Sequence, residues 1–189
     1  MTKAMARVPL NPKTGWSGRL MGRVMHRRYG GWLQPVLAAS HQPQVLRTLG
    51  LLEWNVGRWS RLDQTLKSLA TSAAAVSLNC SWCMDFGFWE NHHKGVDPRK
   101  LRAVPQWRES DLFSELERDV MAYAEDMTAL PVAVTDEQVA GLRARLGDAA
   151  LIELTAMISI ENQRSRTNLA LGLTSQGFRE QCEVPGHRP

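Results

Sequence analysis

The chain is expected to fold as an all-α protein, a helical bundle, on three observations. Apolar residues recur at three- and four-residue spacing through most of its 189 residues. No stretch of useful length alternates apolar and polar residues as a half-buried strand does. The gaps between periodic segments carry Pro, Gly, Asn, Asp, Ser and Thr where helices start and stop.

Residues 1–17 read as a flexible basic N-terminal arm, with Pro9, Pro12 and Gly15 and little periodicity. One all-helical domain is expected over 18–180 and a C-terminal tail over 181–189. Within the domain a short helix is expected over 19–28, with Leu20 and Val24 marking a face and Gly30-Gly31 stopping it. Pro35 starts the next helix, to Ser40, and Pro43 starts another, to Trp54, with Val45, Leu49 and Leu52 on one stripe. Over 60–78 the pattern is strongly helical. Leu62, Leu66 and Leu69 form one face, and Ala70, Ala73, Ala74 and Ala75 allow a close helix neighbour.

Asn79 is a natural break or N-cap. The following helix starts at or beside Cys80 and runs through Cys83, Phe86 and Trp89 to His93, ending at Gly95. Asp97-Pro98 opens a short helix, and residues 104–107 read as a loop. Ser110 or Asp111 caps a helix through Phe113, Leu116, Val120, Tyr123 and Met127, which Pro131 ends. Thr135 to Gln138 has the form of a capping box for a helix that stops at Gly147. Asp148 opens a long helix to about Ser175, apolar in its first half and interrupted by Glu161-Asn162-Gln163-Arg164.

Composition bounds the function. The chain is 43% hydrophobic and 22% charged, ordinary for a globular protein. No apolar run approaches the ~20 residues of a membrane span, and no secretory signal opens the chain, so a reducing cytoplasmic setting and no membrane partner are expected. The formal charge of +4 is mild, and no nucleic-acid motif accompanies the basic arm, so no nucleic acid is expected. The seven tryptophans are scattered, as core and interface packing requires.

The chemically distinctive stretch is Cys80-Ser81-Trp82-Cys83. In a reducing compartment a C-x-x-C pair points to redox or metal chemistry rather than a disulfide framework. At a helix start, unpaired N–H groups and the helix dipole favour a thiolate, and the spacing lets the two sulfurs close a disulfide. Other uses of the motif are weighed against this one. Zinc needs two more ligands, and the adjacent His92 and His93 point about 100° apart on a helix. Haem attachment needs histidine after the second cysteine, where Met84 stands. A thioredoxin fold needs strands. Two small buried residues in a helix are the plain structural alternative. On the helical wheel Cys80, Cys83, Gly87, Glu90 and Lys94 share a stripe, and Gly87 leaves room beside Cys83. His93, Glu90 and Asp63 are candidates for a proton relay, with His92 and His41 further off.

The run Ala70-Thr71-Ser72-Ala73-Ala74-Ala75-Val76-Ser77-Leu78-Asn79-Cys80-Ser81-Trp82-Cys83 resembles the signature of the carboxymuconolactone decarboxylase family, in its alkyl hydroperoxidase D-like branch. The similarity is centred on Ser60 to Gly95, within a broader Val45 to Phe178. The final helix, from Leu154-Thr155-Ala156 through Glu161-Asn162 to Leu169-Ala170-Leu171, is similar to the family's closing helix. The resemblance implies a helical bundle of the alkyl hydroperoxidase D-like type, a homotrimer or larger homo-oligomer, and thiol-dependent peroxide reduction with no cofactor and no metal. It implies Cys83 as the peroxide-attacking thiol and Cys80 as the resolving one. Gly87 and Ser68 stand where similar enzymes carry a relay histidine and glutamate.

The function expected is a peroxidase-like, antioxidant oxidoreductase with a redox-active disulfide. It would act on a peroxide or small disulfide and be recharged by a protein or small-thiol reductant. The alternatives are a decarboxylase-like lyase on a small cyclic acid and a non-catalytic oligomeric protein that keeps the fold.

Overall fold

The computed structural model describes residues 6–11 and 15–183. The parts of the expected arm at 1–5 and 12–14, and the tail from 184, lie outside the described residues. Among the described residues there are ten α-helices, one 3-10 helix and no strand, so the protein is all-α. The chain divides into two compact units, one of residues up to Arg58 with Asn168–Leu173, the other of Trp59–Thr167 with the chain from Thr174.

The first unit holds α1 (Trp16–Tyr29), α2 (Gln34–Ala39) and α3 (Pro43–Val56). Gly30 ends α1 in the left-handed region at φ 72°, a conformation glycine adopts without a Cβ penalty. α1 starts three residues before the expected helix, and its apolar face is not its packed one. Gly22 lies against Trp32, while Leu20 and Val24 are 54% and 49% exposed. The described part of the arm is tied down by Arg7, whose N–H donates to Leu171 O and whose guanidinium donates to Ala170 O, each at 2.8 Å.

The second unit is built around α4 (Gln64–Ser77), which packs on α5 (Ser81–His93) and α7 (Glu115–Thr128). Leu66, Leu69, Ala70, Ala73 and Ala74 of α4 meet Val120, Met121 and Ala124 of α7 in one core, with Leu154 and Ile158 of the long α9 (Asp148–Ala170). The alanines let the helix backbones approach closely. Burying side chains of this size stabilises by roughly 1.5–3 kcal/mol for each Val, Leu or Met removed from water. Lys67 crosses the core edge to Glu153 at 2.5 Å, and Glu153 also accepts from the Arg61 N–H at 2.7 Å. That buried carboxylate therefore fixes the entry to α4.

Several boundaries differ from the sequence reading for local reasons. α4 starts at Gln64 rather than Ser60, because the Asp63 carboxylate accepts from the Thr65 and Leu66 N–H groups and caps it. The expected loop at 104–107 is a 3-10 helix, Val104–Glu109, continuing α6 (Pro98–Ala103). α7 begins later than expected, because Ser114 and Glu117 form a reciprocal capping box. α8 (Asp136–Leu146) is capped by Thr135, which accepts the Gln138 N–H, but the reciprocal half of the expected capping box is not made, because the Gln138 side chain turns to Asp126. α9 ends at Ala170, and a further helix, α10 (Phe178–Glu183), runs into the expected tail. No helix among the described residues is long and apolar enough to cross a membrane.

Candidate active site

The turn between α4 and α5 sets the two cysteines. Asn79 takes a left-handed φ of 53°, which asparagine tolerates better than other side chains. The Asn79 N–H donates to Val76 O and the Cys80 N–H to Ala75 O, the paired closure of a Schellman motif. Cys80 is thereby delivered as the N-cap of α5, where its Sγ accepts the Cys83 N–H at 3.3 Å. A sulfur takes the place that serine or aspartate usually fills, next to the positive end of a helix dipole.

Both cysteines are outside any disulfide and buried, Cys80 1% and Cys83 6% exposed. The second shared partner comes from α9. Ser165, fully buried, donates its hydroxyl toward Cys83 Sγ at 3.2 Å and lies 3.1 Å from Glu161 Oε1. Glu161 is 7% exposed, and its Oε2 accepts from Arg164 at 3.1 Å. A continuous polar line thus runs Cys80, Cys83, Ser165, Glu161, Arg164.

The electrostatics are unequal along that line. The Cys80 thiol is lowered from 9.0 to about 7, chiefly because the Cys83 thiol donates to it, with the Cys83 N–H and Ser165 adding to the effect against burial. Cys83 is pushed up for the reciprocal reason, since donation to Cys80 holds its proton, and burial and the Glu161 charge act the same way. Burial raises the Glu161 carboxyl above the usual carboxylate range, opposed by Arg164. The two thiols are coupled through one hydrogen bond, which favours charge on Cys80 over charge on Cys83.

The relay candidates read from sequence are placed elsewhere. Asp63 caps the far end of α4, a helix of 14 residues and thus about 21 Å long. Glu90 pairs with Lys94 at 3.3 Å on the surface, and His93 Nδ1 engages Trp89 O at 2.7 Å. They lie seven and ten residues beyond Cys83 on one helix, about 10 and 15 Å along its axis. The structure brings none of the three to the thiols. Ser68 instead donates to Asn91 Oδ1 at 2.8 Å and accepts from Gln64 Nε2 at 2.9 Å, so it joins α4 to α5. Among the described residues no group of three or more His, Cys, Asp and Glu side chains is placed to hold a metal ion.

Glu161 and Ser165 were not identified as site residues from sequence, although a signal existed. Leu154, Ile158, Glu161 and Ser165 follow 4-3-4 spacing, so two polar residues continue the apolar stripe of α9 into the core. Polar groups on a buried stripe need partners, and here a partner is Cys83.

Behind Cys83, Asp85 anchors the last helix. Its buried carboxylate accepts the N–H groups of Gln176 (2.8 Å), Gly177 (2.9 Å) and Arg179 (2.8 Å). Trp82 donates its indole N–H to Gln176 Oε1 at 2.9 Å, and Phe178 meets Phe86 edge-on at 5.3 Å. These contacts set the first two turns of α5 against α10.

Known proteins fit this architecture. Residues 43–126 match the carboxymuconolactone decarboxylase family. An Escherichia coli K12 chain described as uncharacterized protein YnjA is 32% identical over 166 residues, 87% of this chain and 90% of that one. A peroxidase-related protein from Silicibacter sp. TM1040 superposes with a TM-score of 0.82 at 13% identity, covering 95% of this chain and 97% of that one. The debrominase Bmp8 in complex with 2,3,4-tribromopyrrole superposes with a TM-score of 0.79 at 19% identity, covering 93% and 96%. An uncharacterized peroxidase-related protein from Ralstonia eutropha JMP134, described as an alkylhydroperoxidase AhpD core, gives a TM-score of 0.75 at 15% identity, over 95% and 97%. With its helical bundle and these relatives, the chain belongs to the carboxymuconolactone decarboxylase family and has the alkyl hydroperoxidase D-like fold.

Proposed function

We propose that the protein is a thiol-dependent oxidoreductase that reduces hydroperoxides through a Cys80–Cys83 dithiol/disulfide cycle. The observation that carries this reading is the unbroken line from Cys83 Sγ through Ser165 Oγ to Glu161 Oε1, at 3.2 and 3.1 Å. It supplies what the missing relay histidine and glutamate would otherwise supply, namely a buried proton carrier beside the nucleophile.

In the cycle the shared proton moves to Cys80, and the Ser165 hydroxyl steadies the thiolate on Cys83, the more exposed of the two. Cys83 attacks the terminal oxygen of ROOH; an S–O bond forms and the O–O bond breaks. The alkoxide takes a proton from the Glu161 carboxyl through Ser165, leaving as ROH. Cys80 then attacks the Cys83 sulfenic acid, an S–S bond forms, and hydroxide leaves as water with the Cys80 thiol proton. Glu161 recovers its proton from solvent. A dithiol reductant, protein or small thiol, restores the pair by exchange.

The test is steady-state peroxide reduction with a thiol reductant for wild type, Cys83→Ser and Cys80→Ser. Loss of turnover in both variants is expected; turnover equal to wild type in either would remove the proposal. Self-assembly into a homotrimer or larger oligomer belongs to the same reading and is tested by solution mass. The likeness to a debrominase supports a second use of the same groups. The Cys83 thiolate would take the halogen as an S–halogen bond while the ring carbon keeps the bonding pair and is protonated from Glu161 through Ser165. Cys80 would then attack the Cys83 sulfur, forming the disulfide, expelling halide and returning its thiol proton to Glu161 through Ser165. Halide release from a brominated pyrrole would favour that use over peroxide.

A further inference from the structure

Cys83 and Gly87 stand one turn apart on the same face of α5, so a Cβ at position 87 would lie about 5–6 Å from that of Cys83. A Cβ added at Gly87 meets no atom within 4 Å, and the residue is half-buried. Gly50 and Gly141 are likewise open inside their helices, but neither stands one turn from a thiol, and at Gly22 an added Cβ would stand 3.1 Å from the Trp32 ring. The φ of Gly87 is helical, so backbone conformation does not call for glycine either. Glycine inside a helix costs about 0.5–1 kcal/mol relative to alanine. Neither packing nor backbone offsets that cost, and what glycine leaves at this position is open space one turn from a nucleophile that is otherwise 6% exposed. On its inner side the Gly87 face continues to Asn91, tied to Ser68, and on its outer side to the surface pair Glu90–Lys94.

We propose that the space beside Gly87 is the substrate's approach to Cys83, and that Gly87 sets the size of hydroperoxide admitted, opening the site to bulky organic hydroperoxides. This rests on the thiol-redox reading, and its test separates the two.

Gly87→Ala and Gly87→Leu are compared with wild type on cumene hydroperoxide and on hydrogen peroxide. The ratio of kcat/KM for the bulky over the small peroxide is expected to fall about threefold in Gly87→Ala and at least about tenfold in Gly87→Leu. Alanine favours the helix, so Gly87→Ala is expected to unfold at or above the wild-type temperature. In parallel, reduced proteins are alkylated with iodoacetamide or pyrenyl maleimide, and modification of Cys83 is read by peptide mass. The bulky-to-small rate ratio is expected to fall in the same order. An unchanged peroxide ratio in both variants overturns the inference. Wild type reducing neither peroxide overturns the thiol-redox reading instead, and the Cys83 alkylation ratio then decides whether the opening at Gly87 leads to this thiol.

Discussion

Ser165 Oγ lies 3.2 Å from Cys83 Sγ and 3.1 Å from Glu161 Oε1, which joins a buried thiol to a buried carboxyl through one hydroxyl. All three side chains are buried, with Cys83 and Glu161 keeping only a small exposed fraction. Gly87 and Ser68 stand where the resemblance places a relay histidine and glutamate. A different helix, α9, brings a hydroxyl and a carboxyl to Cys83.

Removing that hydroxyl or that carboxyl is expected to slow chemistry without undoing the fold. Ser165→Ala should lower kcat/KM for hydroperoxide by roughly 10–100-fold, and Glu161→Gln by about 10²-fold or more, in the range of lost general acid–base catalysis. Stopped-flow peroxide reduction, with circular dichroism to verify the helices, measures it. Rates within about twofold of wild type in both variants would assign the pair a packing role alone.

The charge on the dithiol makes thiol reactivity pH-dependent near neutrality. Because Cys80 is lowered from 9.0 to about 7, its thiolate fraction rises with pH and passes one half near pH 7. The alkylation rate at Cys80 should follow that curve. In Cys83→Ala, which removes the donating side chain, the midpoint should move up towards the ordinary thiol range. The sign is set by the Cys83 donor: it stabilises the charged form of Cys80, and weakening it favours the neutral form. A midpoint unchanged by the substitution would mean the helix terminus alone lowers Cys80.

The contrast between what the sequence disclosed and what it hid follows from physical scale. α8 and the start of α5 were legible, because caps and turn residues act over three or four positions. Thr135 and the Cys80 junction are such cases. The start of α7 was misread, because Ser110, Asp111 and Ser114 all have capping chemistry and only Glu117 selects Ser114. The dithiol was legible as a local motif. Its polar neighbours on α9 were not: Ser165 is 82 residues from Cys83, and the fold alone brings them together. Glu161 read as a polar interruption of a helix, although its place on the buried stripe marked it as a group in need of a partner.

Asp85 is expected to be a structural anchor with a catalytic consequence. Asp85→Ala removes the acceptor of three backbone N–H groups at the start of α10. Hydrogen bonds to charged groups contribute about 1.5–3 kcal/mol each, and water can reach the part-buried N–H groups once the buried carboxylate is gone, so a loss of about 2–4 kcal/mol is expected. Urea unfolding measures it. Hydrogen exchange should show residues 176–183 losing protection first, ahead of α4. Uniform exchange across both segments would argue against a local anchor.

A redox cycle at Cys80 and Cys83 is tested by trapping its product. Fully reduced protein is mixed with one equivalent of hydroperoxide, quenched with an alkylating agent, and mapped by non-reducing peptide mass spectrometry. Consumption of the peroxide, a Cys80–Cys83 disulfide and an alkylated Cys182 are expected of that cycle. Intact peroxide with both Cys80 and Cys83 recovered as alkylated thiols would contradict it.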